Sequence, residues 1–291
     1  MDDFIGKIAV ITGAGDGMGR SLAKLLSAAG CHLAVCDLFP EPLAETKKTC
    51  EEGAPAGTRI TTHICDVSDE SQITAFAAEV VAAHDTDHVN LVFNNAGIGG
   101  AGSMFTDARE SWERTFNVCW YGVYYSTRAF LPLLAASTEG HLINTSSVNG
   151  FWASIGPDVS HTAYSAAKFA VKGFTEALVT DLRLNAPHVS ASVVMPGHIG
   201  TGIAGNSWTV HGGQADPAIL ERAAQFRNSA PTSADDAAAI ILDGVKAKRW
   251  RILVGEDAHV LDDAVRRDPE EAYDLDFRER LGHHFGGLRQ E

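Results

Sequence analysis

The chain has 291 residues, 45% of them apolar, and a formal net charge of −14. That length and apolar content suit one large α/β domain with a full core. The negative balance argues against nucleic acid, and against an anionic membrane surface, as partners.

From the N-terminus, "MDDFIGK" carries two acids and no leader-like apolar run. Nowhere does the chain approach the roughly 18 uninterrupted apolar residues of a membrane span. The five cysteines (31, 36, 50, 65 and 119) form no C-x-x-C pair. The expectation is a soluble cytoplasmic protein with reduced thiols that fill core space, and no disulfide framework or zinc site.

Seven short apolar runs predict strands: 7–12, 32–37, 59–66, 89–95, 141–147, 189–196 and 251–255. Helix-period segments lie between them. In 20–30, Leu22, Leu25, Leu26 and Ala29 share one face; in 71–84, Ile73, Phe76, Ala77 and Val80 do the same. Strands separated by helices imply right-handed crossovers, hence a doubly wound, Rossmann-like parallel sheet of seven strands with helices on both faces. No linker or repeat divides residues 1–255. Residues 256–291 read as a helical extension packed on the same domain, with Leu261 and Val265 on one face and Phe277, Leu281 and Phe285 on another.

Between the first strand and the first helix stands "GAGDGMG", glycines at 13, 15, 17 and 19. The dinucleotide spacing G-x-G-x-x-G does not fit it. A helix opening near Gly17 still aims unpaired N–H groups and a positive dipole end at a pyrophosphate. Asp37 closes the second strand, where a carboxylate can grip an adenosine ribose diol. A glycine-rich turn without a ligand, or a methyltransferase turn, is open at this point.

Downstream come N-N-A-G (Asn94 to Gly97), Y-x-x-x-K (Tyr164, Lys168) and P-G-H-I-G-T (Pro196 to Thr201). With Thr12, Gly13, Gly17 and Gly19 as T-G-x-x-x-G-x-G, they resemble, in that order, the short-chain dehydrogenase/reductase family in its single-domain form. The match runs from about residue 5 to 255. It implies hydride transfer between NAD(H) and a carbonyl or secondary alcohol. It also implies a homodimer or homotetramer paired through the helices around 107–136 and 161–185. The alternative of a non-catalytic NAD(H)-sensing regulator has no need of Tyr164.

Tyr164 and Lys168 lie four apart, on one helical face. A free tyrosine titrates near ~10, so a base near pH 7 needs about 4 kcal/mol of help. A lysine charge at ~5–6 Å supplies roughly 3 kcal/mol at an effective dielectric of 20. The helix N-terminus, capped by Ser160 or Thr162, adds about 0.3–1 kcal/mol. The resemblance implies Tyr164 as acid/base and Lys168 as its tuner and ribose holder. Ser147, chosen over Ser146 because "VNG" follows it, orients the substrate oxygen. Asn117 supports a water and proton path behind the lysine. The interval of 17 residues from Ser147 to Tyr164 is long for the family and points to an insertion within 151–163.

For the cofactor, the resemblance implies Gly13, Asp16, Gly17, Met18 and Gly19 in the turn, and Asp37 and Leu38 beyond the second strand. Asp66 and Val67 fall on the adenine side, where Asp66 competes with Ser68 and Asp69 for the following N-cap. Asn94, Ala96 and Gly97 form a flat floor, and Pro196, Gly197, Ile199 and Thr201 lie on the nicotinamide side. Asp37 repels a 2′-phosphate, and no basic residue follows it in "DLFPEP", so NAD is favoured over NADP. Trp152, Trp208 and His198 fall in loops flanking the substrate, as walls of an apolar pocket or as plain loop packing. No ligand spacing for a metal occurs among the twelve histidines, "HH" at 283–284 included.

Overall fold

The first strand, β1 (Ile8–Thr12), is buried along its whole length with no alternation, as befits a strand covered on both faces. The protein is seen here in a computed structural model that describes residues 1, 3–100, 102–155, 159–214 and 216–282. After β1 come α1 (Gly17–Ala28), β2 (His32–Asp37), α2 (Pro40–Gly53), β3 (Ile60–Ile64), α3 (Glu70–His84) and β4 (Leu91–Asn94). The middle of the chain forms α4 (Arg109–Phe116), a π-helical turn (Asn117–Tyr121), α5 (Gly122–Ala136), β5 (Gly140–Thr145), a 3₁₀ turn (Val148–Gly150), α6 (Thr162–Asn185) and β6 (Val189–Pro196). Then follow β7 (Ile199–Gly200), α7 (Ile203–Val210), α8 (Pro217–Asn228), β8 (Thr232–Ser233), α9 (Ala234–Lys246) and β9 (Arg251–Val254). The tail holds α10 (Glu256–Arg267), a 3₁₀ turn (Glu271–Tyr273) and α11 (Phe277–Arg280).

Seven strands form one parallel sheet in the order β3-β2-β1-β4-β5-β6-β9. This is the doubly wound, Rossmann-like arrangement. The order reverses between β1 and β4, which opens a crevice at their carboxyl ends. Leu22 and Leu26 of α1, Leu43 of α2 and Ile241 of α9 pack on one face. Phe76 of α3, Phe130 of α5 and Leu178 of α6 pack on the other. A separate two-stranded piece, β7 with β8, lies beyond the crevice.

Helix α3 buries the four residues read as its apolar face. On α1 the stripe differs: Leu22, Ala23, Leu26 and Ser27 are buried, whereas Leu25 is 38% exposed and Ala29 is exposed. At 100° per residue the buried set centres between Leu22 and Ala23, which turns Leu25 away from the sheet. Ala29 has already passed into the C-cap. In the tail, Leu261, Val265, Phe277 and Leu281 join one small cluster. Phe285 and the pair at 283–284 lie outside the described residues. Among the described residues, no helix is long and apolar enough to cross a membrane.

Candidate active site

The crevice is built first from backbone. Thr12 Oγ1 at the end of β1 accepts the N–H groups of Asn95 and Ala96, each at 3.0 Å, which pins the exit of β4 beside the glycine turn. Asn95 Nδ2 donates to the carbonyls of Thr12 and Gly13 at 3.1 and 3.3 Å. Gly13 and Gly17 have φ of +65° and +53°, a left-handed backbone that side chains disfavour. A Cβ on Gly19 would lie 2.1 Å from the Gly13 carbonyl oxygen. No side chain caps the start of α1. Its N–H groups therefore face a cradle that added carbons would fill, and this fits a dinucleotide pyrophosphate.

Asp16 holds the N-cap position without capping. Its carboxylate instead accepts Gly202 N–H at 3.1 Å and Asn206 Nδ2 at 3.2 Å, which ties the turn to α7 across the crevice. Met18 and Thr201 line the same crevice. At the end of β2, Asp37 accepts Gly15 N–H at 2.8 Å and Phe39 N–H at 3.0 Å, with Leu38 beside it on the wall. The nearby Arg20 is engaged by the Gly15 carbonyl, Thr46 and Glu45.

At the next wall the competition for the N-cap of α3 goes to Asp69, which accepts from Ser71 and Gln72. Asp66 accepts Ser68 N–H and Oγ at 3.0 and 2.7 Å and pairs with Arg114 at 2.7 Å. Burial would raise the Asp66 carboxyl, but hydrogen bonds from Ser68 and the Arg114 cation outweigh it and hold it below its ordinary value. Val67 completes this wall, and Arg114, which no motif marks, also lines it. Asn94 lies beneath the floor and not on it. Its Nδ2 donates to Asn144 Oδ1 at 2.8 Å and Thr127 Oγ1 at 3.2 Å. Its neighbours Asn95, Ala96 and Gly97, past the end of β4, form the lining.

On the far side, Pro196 ends β6 beside Val254. Gly197 donates to the Val254 carbonyl at 2.9 Å. A Cβ on Gly197 would sit 2.2 Å from the buried Asp257 carboxylate. Ile199 is held against Thr232 in the small β7–β8 pair.

Tyr164, Lys168, Ser147 and Ser146 converge at the end of β5. Ser146 Oγ is committed to the Lys168 carbonyl at 2.7 Å. Ser147 caps the 3₁₀ turn, accepting Asn149 N–H at 3.1 Å, and its hydroxyl is near enough to the Tyr164 phenol to favour its ionised form. Lys168 is 2% exposed; its Nζ donates to the Thr145 carbonyl at 2.9 Å and lies 5.3 Å from the centre of the Tyr164 ring. Burial pushes the lysine below its ordinary value. Burial also pushes the Tyr164 phenol up, Cys119 adds to that, and Ser147 opposes it. The lysine charge counted from sequence favours a lower phenol pKa, but in the folded chain desolvation is the larger effect. The capping contribution expected from sequence fails. Ser160 and Thr162 hydroxyls donate to the Gly102 carbonyl at 2.8 and 2.7 Å, and His161, without a side-chain cap, precedes α6.

Asn117 opens the π-helical turn, and among the described residues no direct hydrogen bond joins its carboxamide to Tyr164 or Lys168. Two positions along such a turn point to different sides, and Cys119 is the residue that faces inward. Its Sγ donates to the Ile98 carbonyl at 3.2 Å. A Cβ on Gly97 would lie 3.4 Å from Lys168 Nζ and 3.7 Å from Cys119 Sγ. His161 also escapes a sequence reading. Its ring stacks on Tyr164 at 4.8 Å between centroids, and burial holds its pKa down to about 4.

Of the three residues read as pocket walls or packing, Trp152 and His198 are packed, whereas Trp208 falls on α7 and is 41% exposed. Trp152 is buried in the tail cluster. Trp208 Nε1 donates to the Gln214 carbonyl at 2.7 Å. His198 donates to the Phe226 carbonyl at 2.8 Å. Among the described residues, no group of three or more His, Cys, Asp or Glu is placed to hold a metal ion.

Residues 7–210 match the family model of the short chain dehydrogenases, so the chain belongs to the short-chain dehydrogenase/reductase family and with it to the oxidoreductases. The SadH protein of Mycobacterium tuberculosis, named as an oxidoreductase, is 38% identical over 268 residues, 91% of this chain and 92% of its own. A family member from Burkholderia phymatum, solved in complex with NAD, is 32% identical with a TM-score of 0.80, covering 93% of this chain and 95% of that one. A metagenomic member solved with NADP is 27% identical with a TM-score of 0.65, covering 86% and 97%.

Proposed function

We propose that this protein is an NAD-dependent dehydrogenase/reductase that interconverts a carbonyl and a secondary alcohol on an apolar small molecule. The observation that carries the reading is the Ser147–Tyr164–Lys168 group beside a glycine-lined crevice, with Ser147 and Lys168 buried and Tyr164 half-buried between them. Bound in that crevice, the nicotinamide cofactor supplies the hydride donor or acceptor. The substrate oxygen is oriented by the Ser147 hydroxyl. In reduction Tyr164 gives its phenolic proton to that oxygen, and burial keeps the proton on the phenol until then. In oxidation the proton returns to Tyr164 Oη, and the Lys168 ammonium stabilises the phenolate.

Asp37 supports NAD over NADP. Its carboxylate stands where a 2′-phosphate would bring like charge, and Arg20 is already paired with Glu45. For self-association, the aromatic rows Trp112–Phe116–Tyr121–Tyr125 and Trp120–Tyr124–Phe174 on α4, α5 and α6 supply a partly exposed apolar face. It suits a homodimer or homotetramer in the cytoplasm. The testing experiment follows nicotinamide absorbance over a panel of secondary alcohols with NAD and NADP in parallel. Turnover with NAD supports the reading; turnover with NADP alone overturns the role of Asp37. Tight NADH binding without turnover of any substrate favours a sensor.

A further inference from the structure

Two stretches 120 residues apart in sequence share a small core of their own. Trp152, 4% exposed, packs with Leu261, Ala272 and Phe277, its ring 5.6 Å from that of Phe277. Directed bonds fasten the contact. Trp152 Nε1 donates to the Ala272 carbonyl at 2.6 Å, Ala153 N–H donates to the Tyr273 hydroxyl at 3.0 Å, and Arg278 donates to the Ile155 carbonyl at 2.9 Å. The tail is itself tied to the sheet. Arg251 of β9 pairs with the buried Asp262 of α10 at 2.8 Å and lies over the Phe151 ring at 5.8 Å.

From Trp152 the connection runs inward. Asn149, 5% exposed, donates its side-chain amide to the carbonyls of Trp152 and Ser154, each at 3.0 Å. Its backbone N–H donates to Ser147 Oγ at 3.1 Å. That bond occupies one lone pair of the Ser147 oxygen and restricts where its proton can point. The restricted hydroxyl is the one that meets Tyr164.

We propose that the C-terminal segment 256–282 is a positioning element for Ser147, acting through Ala272, Trp152 and Asn149, and that the long interval between Ser147 and Tyr164 supplies the surface on which this segment docks. The same segment reaches the opposite lip of the crevice, where Asp257 accepts His198 N–H at 2.6 Å. The tail therefore spans from the nicotinamide-side loop to the serine. The proposal rests on the oxidoreductase reading only for what Ser147 does; the mechanical link stands on the contacts alone.

The test uses the full chain with Phe277→Ala, Trp152→Ala and the milder Trp152→Phe, which keeps an aromatic ring and removes the bond to Ala272. Hydrogen exchange of residues 147–155 should quicken by about tenfold or more in the two alanine variants, while residues 12–19 keep their protection. NADH affinity should stay within about twofold of wild type, and kcat for alcohol oxidation should fall about tenfold. The pH midpoint of that oxidation should move upward, because a loosened Ser147 no longer stabilises the phenolate. Trp152→Phe should fall between wild type and Trp152→Ala on both readouts, which separates positioning from general unfolding. Unchanged exchange at 147–155 and an unchanged pH midpoint would overturn the proposal. Faster exchange at 147–155 in a protein that oxidises no alcohol would support the mechanical link and count against the oxidoreductase reading instead.

Discussion

The cofactor side and the substrate side of the crevice are built by different means. The cofactor side is backbone: a turn of glycines, a strand end pinned by Thr12, and an uncapped helix start. Its key contacts join short motifs that the parallel sheet sets side by side. The substrate side is made of side chains drawn from distant parts of the chain: Ser147, Tyr164, the 151–155 loop and a tail that closes on it. A ligand shared by many proteins can be met by backbone, whose geometry tolerates many sequences. A particular substrate has to be met by side chains, and those are placed by whatever packs behind them.

That contrast can be strained from both sides. The heaviest blow falls on the cofactor side. In Gly19→Ala the new carbon meets the Gly13 carbonyl at 2.1 Å, so the turn must move. NADH affinity, read by fluorescence titration, should drop at least about a hundredfold, with stability reduced by ~1–3 kcal/mol. If NADH still binds as in wild type, the crevice is not a backbone cradle.

Tyr164→Phe cuts the substrate side alone. Turnover should fall by about 10²–10⁴, with NADH binding within about threefold because no phosphate contact is touched. Equal losses in both readouts would blur the division between the two sides. Asp37→Ser comes next. It removes the charge opposed to a 2′-phosphate, and the ratio of kcat/KM for NADP over NAD should rise about tenfold. A ratio that does not move would dismiss Asp37 as the cofactor selector.

A pH series compares the substrate side with the sheet interior, since His161 stacks on Tyr164 and His141 lies at the start of β5. Burial holds His161 down to about 4 and His141 to about 3 in the folded protein, against an ordinary 6.5. Between those values the unfolded chain binds more protons than the native one, so stability rises with pH there. It should decline as the pH falls from about 6.5 toward 4 and lie flat above about 7.5 in urea titrations. His141→Gln and His161→Gln should each shallow the slope, and a slope unchanged in both would assign the acid sensitivity elsewhere. The smallest effect separates two neighbours in the π-helical turn. Asn117→Ala should leave turnover within about twofold, whereas Cys119→Val, which adds bulk where Gly97 meets Lys168, should lower it about tenfold. The reverse ranking would return the relay role to Asn117.

Much of the cofactor side is legible because it is local. A strand, a glycine turn and a helix start lie within thirteen residues, and the period of apolar residues announces each in order. Leu25 marks the limit of such reading, since amphipathic spacing tells that a helix has a buried face but not the angle at which the sheet receives it. Asn117 marks a second limit. The motif points to Asn117, whereas the side chain that the π-helical turn sets beside Gly97 and Lys168 is that of Cys119. Tyr164 marks a third, because a charge four residues away can be counted from sequence whereas desolvation depends on everything packed around the ring.

By itself, then, the order of residues determined the parallel sheet and its crevice, because periodicity and short motifs act over a few residues, while the family resemblance supplied the company of Ser147, Tyr164 and Lys168. Tertiary structure alone decided that Asn94 lies under the floor, that Arg114 closes the crevice wall beside Asp66, and that Trp152 belongs to the tail. Those outcomes depend on which surfaces meet after a hundred or more residues of intervening chain, and no local preference encodes them.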